Sequence, residues 1–102
     1  MTNSGPEPDS DDLTVNRHDE LSRYEGRRGA DLVTVISFRL RGAVHVVTHT
    51  ETDPWWRGRG YADQTTRAML DDIRAADGKV QPVCPFTADF LSSHPEYADL
   101  LV

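Results

Sequence analysis

The stretch Arg57-Gly58-Arg59-Gly60-Tyr61-Ala62 joins a run of β-branched residues, which Pro54 must end, to a segment with helical spacing. It predicts a strand, a glycine loop and a helix N-terminus in that order, and so confines the chain to a fold that mixes strands with helices. Glycine at 58 and 60 tolerates positive φ and lets the backbone approach a ligand closely. The first N–H groups of a helix have no intrahelical acceptor, and the macrodipole puts partial positive charge at that end. Two arginines beside such a terminus favour a phosphate or pyrophosphate. Taken alone, the same six residues also suit an ordinary glycine turn with solvated arginines.

A chain of 102 residues has room for one small core and no second one. Its formal charge is −6, yet Glu7, Asp9, Asp11 and Asp12 all precede the first of its 11 basic residues. Residues 1–12 therefore read as a disordered acidic tail and residues 13–102 as one near-neutral domain. A body without a basic face does not suit nucleic-acid binding. Cys84 is the only cysteine, which excludes an internal disulfide and a four-cysteine zinc site. No stretch is long enough to span a bilayer, and no basic region followed by an apolar run opens the chain, so a cytoplasmic location is expected.

Residues 13–15 and 20–25 form a first candidate hairpin, separated by polar residues 16–19, and Arg27-Arg28-Gly29-Ala30 reads as a turn with solvated arginines. Residues 31–38 and 43–52 are the clearest strands, an antiparallel pair joined at residues 39–42. Leu32, Val33, Val35 and Ile36 leave neither face of the first polar, which predicts helices on both sides. Period-two alternation puts Ala43, His45, Val47, His49 and Glu51 on one face of the second. Such a row does not close into a tetrahedral metal site, so no metal is expected. His45 reads as half-exposed, whereas His49 and Glu51 lie at the strand end that runs into the glycine loop.

Residues 60–77 read as the main helix, with Ala62, Thr66, Met69, Ile73 and Ala76 as its apolar stripe and Asp63, Arg67, Asp71 and Arg74 as a solvated row. Gly78 reads as the residue that ends this helix, and residues 79–85 as a strand parallel to the one before the loop. The loop then lies at the carboxyl end of a sheet strand, where open sheets bind ligands. A second helix is expected from residue 87, with Thr87 as N-cap and a stop at His94 before Pro95. Trp55 and Trp56 suit core, lid or partner surface, with packing expected for one of them.

His49-Thr50-Glu51, the loop from Arg57 to Ala62, Cys84-Pro85-Phe86 and His94-Pro95-Glu96-Tyr97 with Asp99-Leu100 together resemble the signature of a short branch of the GNAT superfamily of N-acetyltransferases. The resemblance implies a compact α+β acyl-CoA N-acyltransferase fold, with a mixed, mostly antiparallel sheet. It implies acetyl-CoA as co-substrate and an amine as acceptor. Arg57, Gly58, Arg59, Gly60, Tyr61 and Ala62 would then hold the CoA pyrophosphate, and Thr50 and Thr52 would hydrogen-bond the pantetheine arm like an added strand. For the chemistry, Glu51 with His49 is expected to accept the amine proton. Alternatively, Cys84 takes the acetyl group first, or is merely a small buried hydrophobe. His94 and Tyr97 serve as acid or as anchors of the C-terminus. A CoA-binding or protein-interaction module without turnover is the rival function.

Overall fold

The computed structural model describes residues 12–102. The expected tail lies outside the described residues, apart from Asp12, which is exposed. Strands β1 (Thr14–His18), β2 (Arg23–Arg28), β3 (Asp31–Arg41), β4 (Val44–Thr52) and β5 (Lys79–Pro82) form one sheet in chain order. Helix α1 (Tyr61–Ala75) connects β4 to β5, and α2 (Pro85–Ser93) follows β5. Short 3₁₀ turns occupy Asp19–Leu21, Pro54–Trp56 and Pro95–Leu100. All neighbours pair antiparallel except β4 and β5, which are parallel, as expected for a strand, loop, helix, strand crossover.

Both helices pack on one face of the sheet. Tyr24, Ile36, Phe38, Val47 and Val80 from the strands meet Met69, Leu70 and Ile73 of α1 and Phe90 and Leu91 of α2 in a single buried cluster. No described helix covers the opposite, outer face, so the expectation of helices on both sides of β3 is corrected. Charge performs that covering. Glu25 projects to the outer face and is only 3% exposed, with Arg23 at 2.6 Å, Arg27 at 3.1 Å and His18 at 3.2 Å. Burial pushes its carboxyl up, but hydrogen bonds from Arg23 and Arg27, helped by the neighbouring His18 and the Arg23 charge, outweigh burial and hold it below its ordinary value. Arg27 and Arg28 are accordingly not simply solvated: Arg28 lies over the Trp56 ring at 5.1 Å.

Several boundaries differ from the sequence reading for local reasons. Asn16, Arg17 and His18 belong to β1 because they pair with Glu25, Tyr24 and Arg23 of β2. At the end of α1, Asp77 rather than Gly78 takes the left-handed conformation, at φ 60°. Gly78 is needed for close approach instead, since a Cβ there would lie 3.0 Å from the Ile73 side chain and 3.2 Å from the Ala43 carbonyl. Helix α2 starts at Pro85 with Cys84 as its N-cap, two residues before the expected start. A proline fits N1 because that N–H has no helical acceptor in any case. The Arg67, Asp71 and Arg74 row is a clamp: Tyr97 donates to Asp71 at 2.9 Å, and Arg74 pairs with Asp99 and donates to the Glu96 carbonyl.

Gly26 sets the depth at which α1 seats. A Cβ at this position would lie 2.5 Å from Thr65 Oγ1. That hydroxyl is buried and donates to the Tyr61 carbonyl at 2.8 Å, so it cannot simply swing away. Gly26→Val is expected to destabilise the fold by about 1–3 kcal/mol through overpacking. A lower urea midpoint at unchanged slope would register it, and an unchanged midpoint would remove this account of Gly26.

Candidate functional site

The glycine loop is a donor-rich concavity at the N-terminus of α1. Gly58 and Gly60 take φ values of 77° and 82°, which L side chains rarely adopt, and Gly60 is the N-cap with no side chain to satisfy the first turn. Alternation of positive and negative φ turns successive N–H groups toward one point. A cavity of about 220 Å³ opens there, lined by Thr52, Trp56, Gly58, Gly60, Ala62 and Phe86 among others. Trp56 packs edge-on against Tyr61 at 5.9 Å and lies 5.0 Å from the Arg59 guanidinium, whereas Trp55 is 73% exposed. Packing therefore falls to Trp56. Arg57 donates from Nε to the Thr52 carbonyl at 3.2 Å, and Arg59 to the Trp55 carbonyl at 3.2 Å. Among the described residues, neither arginine forms an ion pair. Their charge remains available to an anion.

Strand β4 is where the site acquires two sides. Its pairing with β3 runs in step from Val44 to Val47 and again from His49 to Thr52, with a bulge at Thr48 opposite the Ser37/Phe38 junction. The extra residue reverses the alternation. His45 and Val47 therefore face the helices, and so do Thr50 and Thr52, while His49 and Glu51 face outward. The single row of His45, His49 and Glu51 is thus corrected. His45 is buried beside Phe38, with Arg17 2.7 Å from its Nε2, and burial followed by the Arg17 charge lowers its pKa. His49 and Glu51 remain exposed, 3.8 Å apart. Among the described residues, no group of three or more His, Cys, Asp or Glu side chains is placed to hold a metal ion.

Cys84 lies on the helix side, 5% exposed, with its sulfur 3.5 Å from Thr50 Oγ1. Burial pushes the thiol up. Hydrogen bonds from Thr50, from the N–H groups of Thr87 and Phe86, and from the Thr87 hydroxyl to a thiolate outweigh it, so its pKa falls below the ordinary 9.0. Thr87 is the residue that the sequence reading misassigned. Its hydroxyl caps no helix. It is fully buried and, among the described residues, has no hydrogen-bond partner beside a neutral thiol. The available signal was its spacing, since a threonine three residues after an N-cap cysteine lies in the same helical turn. His94 stacks on Phe90 at 3.8 Å with Nδ1 2.7 Å from the Phe90 carbonyl, and Tyr97 joins the clamp, so both anchor the C-terminal segment.

The structure thus brings Thr50 together with Cys84, and Thr52 with Arg57, Gly58, Gly60, Tyr61 and Ala62. Glu51 and His49 are placed on the other side of the same strand. A group held at the β4 edge would have the donor-rich loop and a thiol on one face and a carboxylate on the other.

A sequence profile of GCN5-related N-acetyltransferases matches residues 23–100. Among solved structures, the chain is similar to a GCN5-like candidate N-acetyltransferase from Staphylococcus aureus determined by NMR in solution. That likeness has a TM-score of 0.68 at 17% identity and covers 88% of each chain, which establishes a shared fold. No curated protein matches the chain.

Thr50→Val is expected to move the thiol pKa of Cys84 upward, because it removes a donor to the thiolate and leaves burial in place. Alkylation rates measured against pH would show the inflection below 9.0 in the parent and at higher pH in the variant. Coincident profiles would mean that the hydroxyl does not act on the sulfur.

Proposed function

The chain belongs to the GCN5-related N-acetyltransferase family, and from that membership we propose that it moves the acetyl group of acetyl-CoA to an amine, with CoA held at the loop between β4 and α1. The observation that carries this reading is the juxtaposition of an uncapped helix N-terminus with an open strand edge. The parallel pairing of β4 with β5 ends at Val47 and Pro82. Backbone groups of residues 48–52 on that side have no strand partner among the described residues. An extended pantetheine arm has the amide spacing to hydrogen-bond there beside Thr50 and Thr52. Its pyrophosphate end would then reach the N–H groups of Gly58, Gly60, Tyr61 and Ala62, with Arg57 and Arg59 supplying charge.

The catalytic roles follow from the two faces. In direct transfer the amine approaches from the outer face, where Glu51 takes its proton with His49 beside it, and a backbone N–H at the strand edge stabilises the oxyanion. A second route is favoured by the lowered pKa of Cys84. Its thiolate attacks the thioester carbon, CoA leaves as a thiolate, and the acetyl group passes from Cys84 to the amine. Among the described residues, no helix is long and apolar enough to cross a membrane. We place the transfer in the cytoplasm.

CoA at 100 times its dissociation constant is expected to add about 2.7 kcal/mol of stability, read as a rise in melting temperature. Gly60→Asp should abolish the rise, because it puts a side chain at φ 82° and a negative charge at the anion site. A parent protein whose melt ignores millimolar CoA would overturn the proposal. The two routes separate by mass. Covalent transfer leaves an acetylated Cys84 when acetyl-CoA is supplied without acceptor, and Cys84→Ala then loses activity. Direct transfer leaves no adduct, and activity falls instead by about 10²-fold or more in Glu51→Gln.

A further inference from the structure

The outer face of the sheet holds a second hollow, separate from the loop cavity, of about 210 Å³. Leu32, Val33, Val35 and Pro54 give it an apolar floor, and Glu51 and Asp53 give it two carboxylates. Thr52 lines both this hollow and the loop cavity, so the two meet around one residue of β4. Resting on the acetyl-transfer reading above, we infer that this hollow is the acceptor subsite and that it takes a primary ammonium on a short, unbranched apolar stem.

Three features carry the choice of ligand. The hollow is smaller than the ~300–1,000 Å³ of common ligand pockets, so it seats a slim stem more readily than a bulky group. Its floor is hydrocarbon, and no described helix covers it, so a methylene chain gains by displacing water from Leu32 and Val35. Its charges are unequal. Asp53 Oδ1 is committed to the Trp55 N–H at 2.9 Å, but the carboxylate charge remains, and Glu51 adds a second. On the opposing side stand His49, 3.8 Å from Glu51, and Arg57, whose Nε is tied to the Thr52 carbonyl. An ammonium fits between the carboxylates, whereas an acceptor carrying its own carboxylate on the stem would meet them at close range.

The stoichiometry closes with groups already present. Glu51 takes one proton from the bound ammonium, and the freed lone pair forms the new C–N bond to the acetyl carbon. The C–S bond breaks with its electron pair on sulfur. The second proton shed by nitrogen ends on the departing thiolate.

Four probe amines test the inference in the full chain with acetyl-CoA: hexylamine, Nα-acetyl-lysine amide, 6-aminohexanoate and alaninamide. The first two should exceed the last two in kcat/KM by about tenfold or more, the factor that ~1.4 kcal/mol supplies. Hexylamine ahead of the lysine derivative identifies a free alkylamine as the source, and the reverse order a lysine side chain. Val35→Arg should raise KM for hexylamine by about tenfold, the same ~1.4 kcal/mol, while the CoA-induced melting shift persists. Should that variant fail to fold, backbone amide shifts of the parent on titration with hexylamine alone should move at residues 32–35 and 51–54. Equal use of 6-aminohexanoate, an unchanged KM in the variant, or amide shifts confined elsewhere would each overturn the assignment. Loss of the CoA-induced shift in the parent overturns the acetyl-transfer reading instead, and the amide shifts still decide what the hollow binds.

Discussion

The parting of β4 from β5 after Val47 is the constraint on which the site depends. The Val47 carbonyl accepts from both Val83 N–H at 3.0 Å and Cys84 N–H at 2.9 Å, and the parallel ladder closes there. Pro82 and Pro85 have no N–H to extend it. Three consequences come together at this point. Strand β4 continues to Thr52 beside an open edge, Cys84 is delivered to the start of α2, and the first turn of α2 turns its N–H groups toward the sulfur. A β5 one turn longer would fill the edge and bury all three.

The bulge at Thr48 then divides the strand end between two solvents. Thr48 Oγ1 donates to the Ser37 carbonyl at 3.3 Å, which satisfies a backbone group that the disrupted ladder leaves over. Beyond it, Thr50 and Thr52 look toward the helices while His49 and Glu51 look toward water. On the proposed roles, proton acceptance and anion binding are thereby kept apart. A carboxylate on the loop side would repel the same phosphates that the helix terminus attracts. In the proposed reaction, its position on the far face would let both act on one group at the strand edge.

With so short a chain, the second half of the core depends on aromatic and charged contacts that would be incidental in a larger protein. Arg67 and Arg74 of α1 each lie over the Tyr97 ring, at 5.7 Å and 5.0 Å, and Phe90 stacks on His94. These contacts fold the C-terminal segment back under both helices and bring Leu100 into the core. Helix α1, whose N-terminus follows the glycine loop, is thus held at one end by Gly26 and at the other by the C-terminal clamp.

Much of this arrangement could be read from the residues. Pro54 acts through its fixed φ and Gly58 and Gly60 through their tolerance of positive φ, so the strand, loop and helix around them follow from local chemistry, and the spacing of Met69, Ile73 and their neighbours names the buried face of α1. The GNAT resemblance rested on short local motifs as well, the loop from Arg57 to Ala62 together with His49-Thr50-Glu51, Cys84-Pro85-Phe86, and His94-Pro95-Glu96-Tyr97 with Asp99-Leu100. Other features depend on partners distant in the chain. The bulge that separates His45 from His49 exists only in the pairing with Ser37 and Phe38, and period-two reading of β4 alone cannot find it. Thr87 reads as a cap until Cys84 takes that role and Thr50 arrives across the sheet. Arg67 and Arg74 stay exposed, as read, but only the folded C-terminus supplies Tyr97, Glu96 and Asp99 as their partners. The sequence by itself determined where the glycine loop and the helix N-terminus lie, because proline fixes its own φ and glycine alone accepts positive φ freely. Only the tertiary structure decided which side of the sheet each reactive group faces, because that depends on strand register, which residues far apart in sequence settle together.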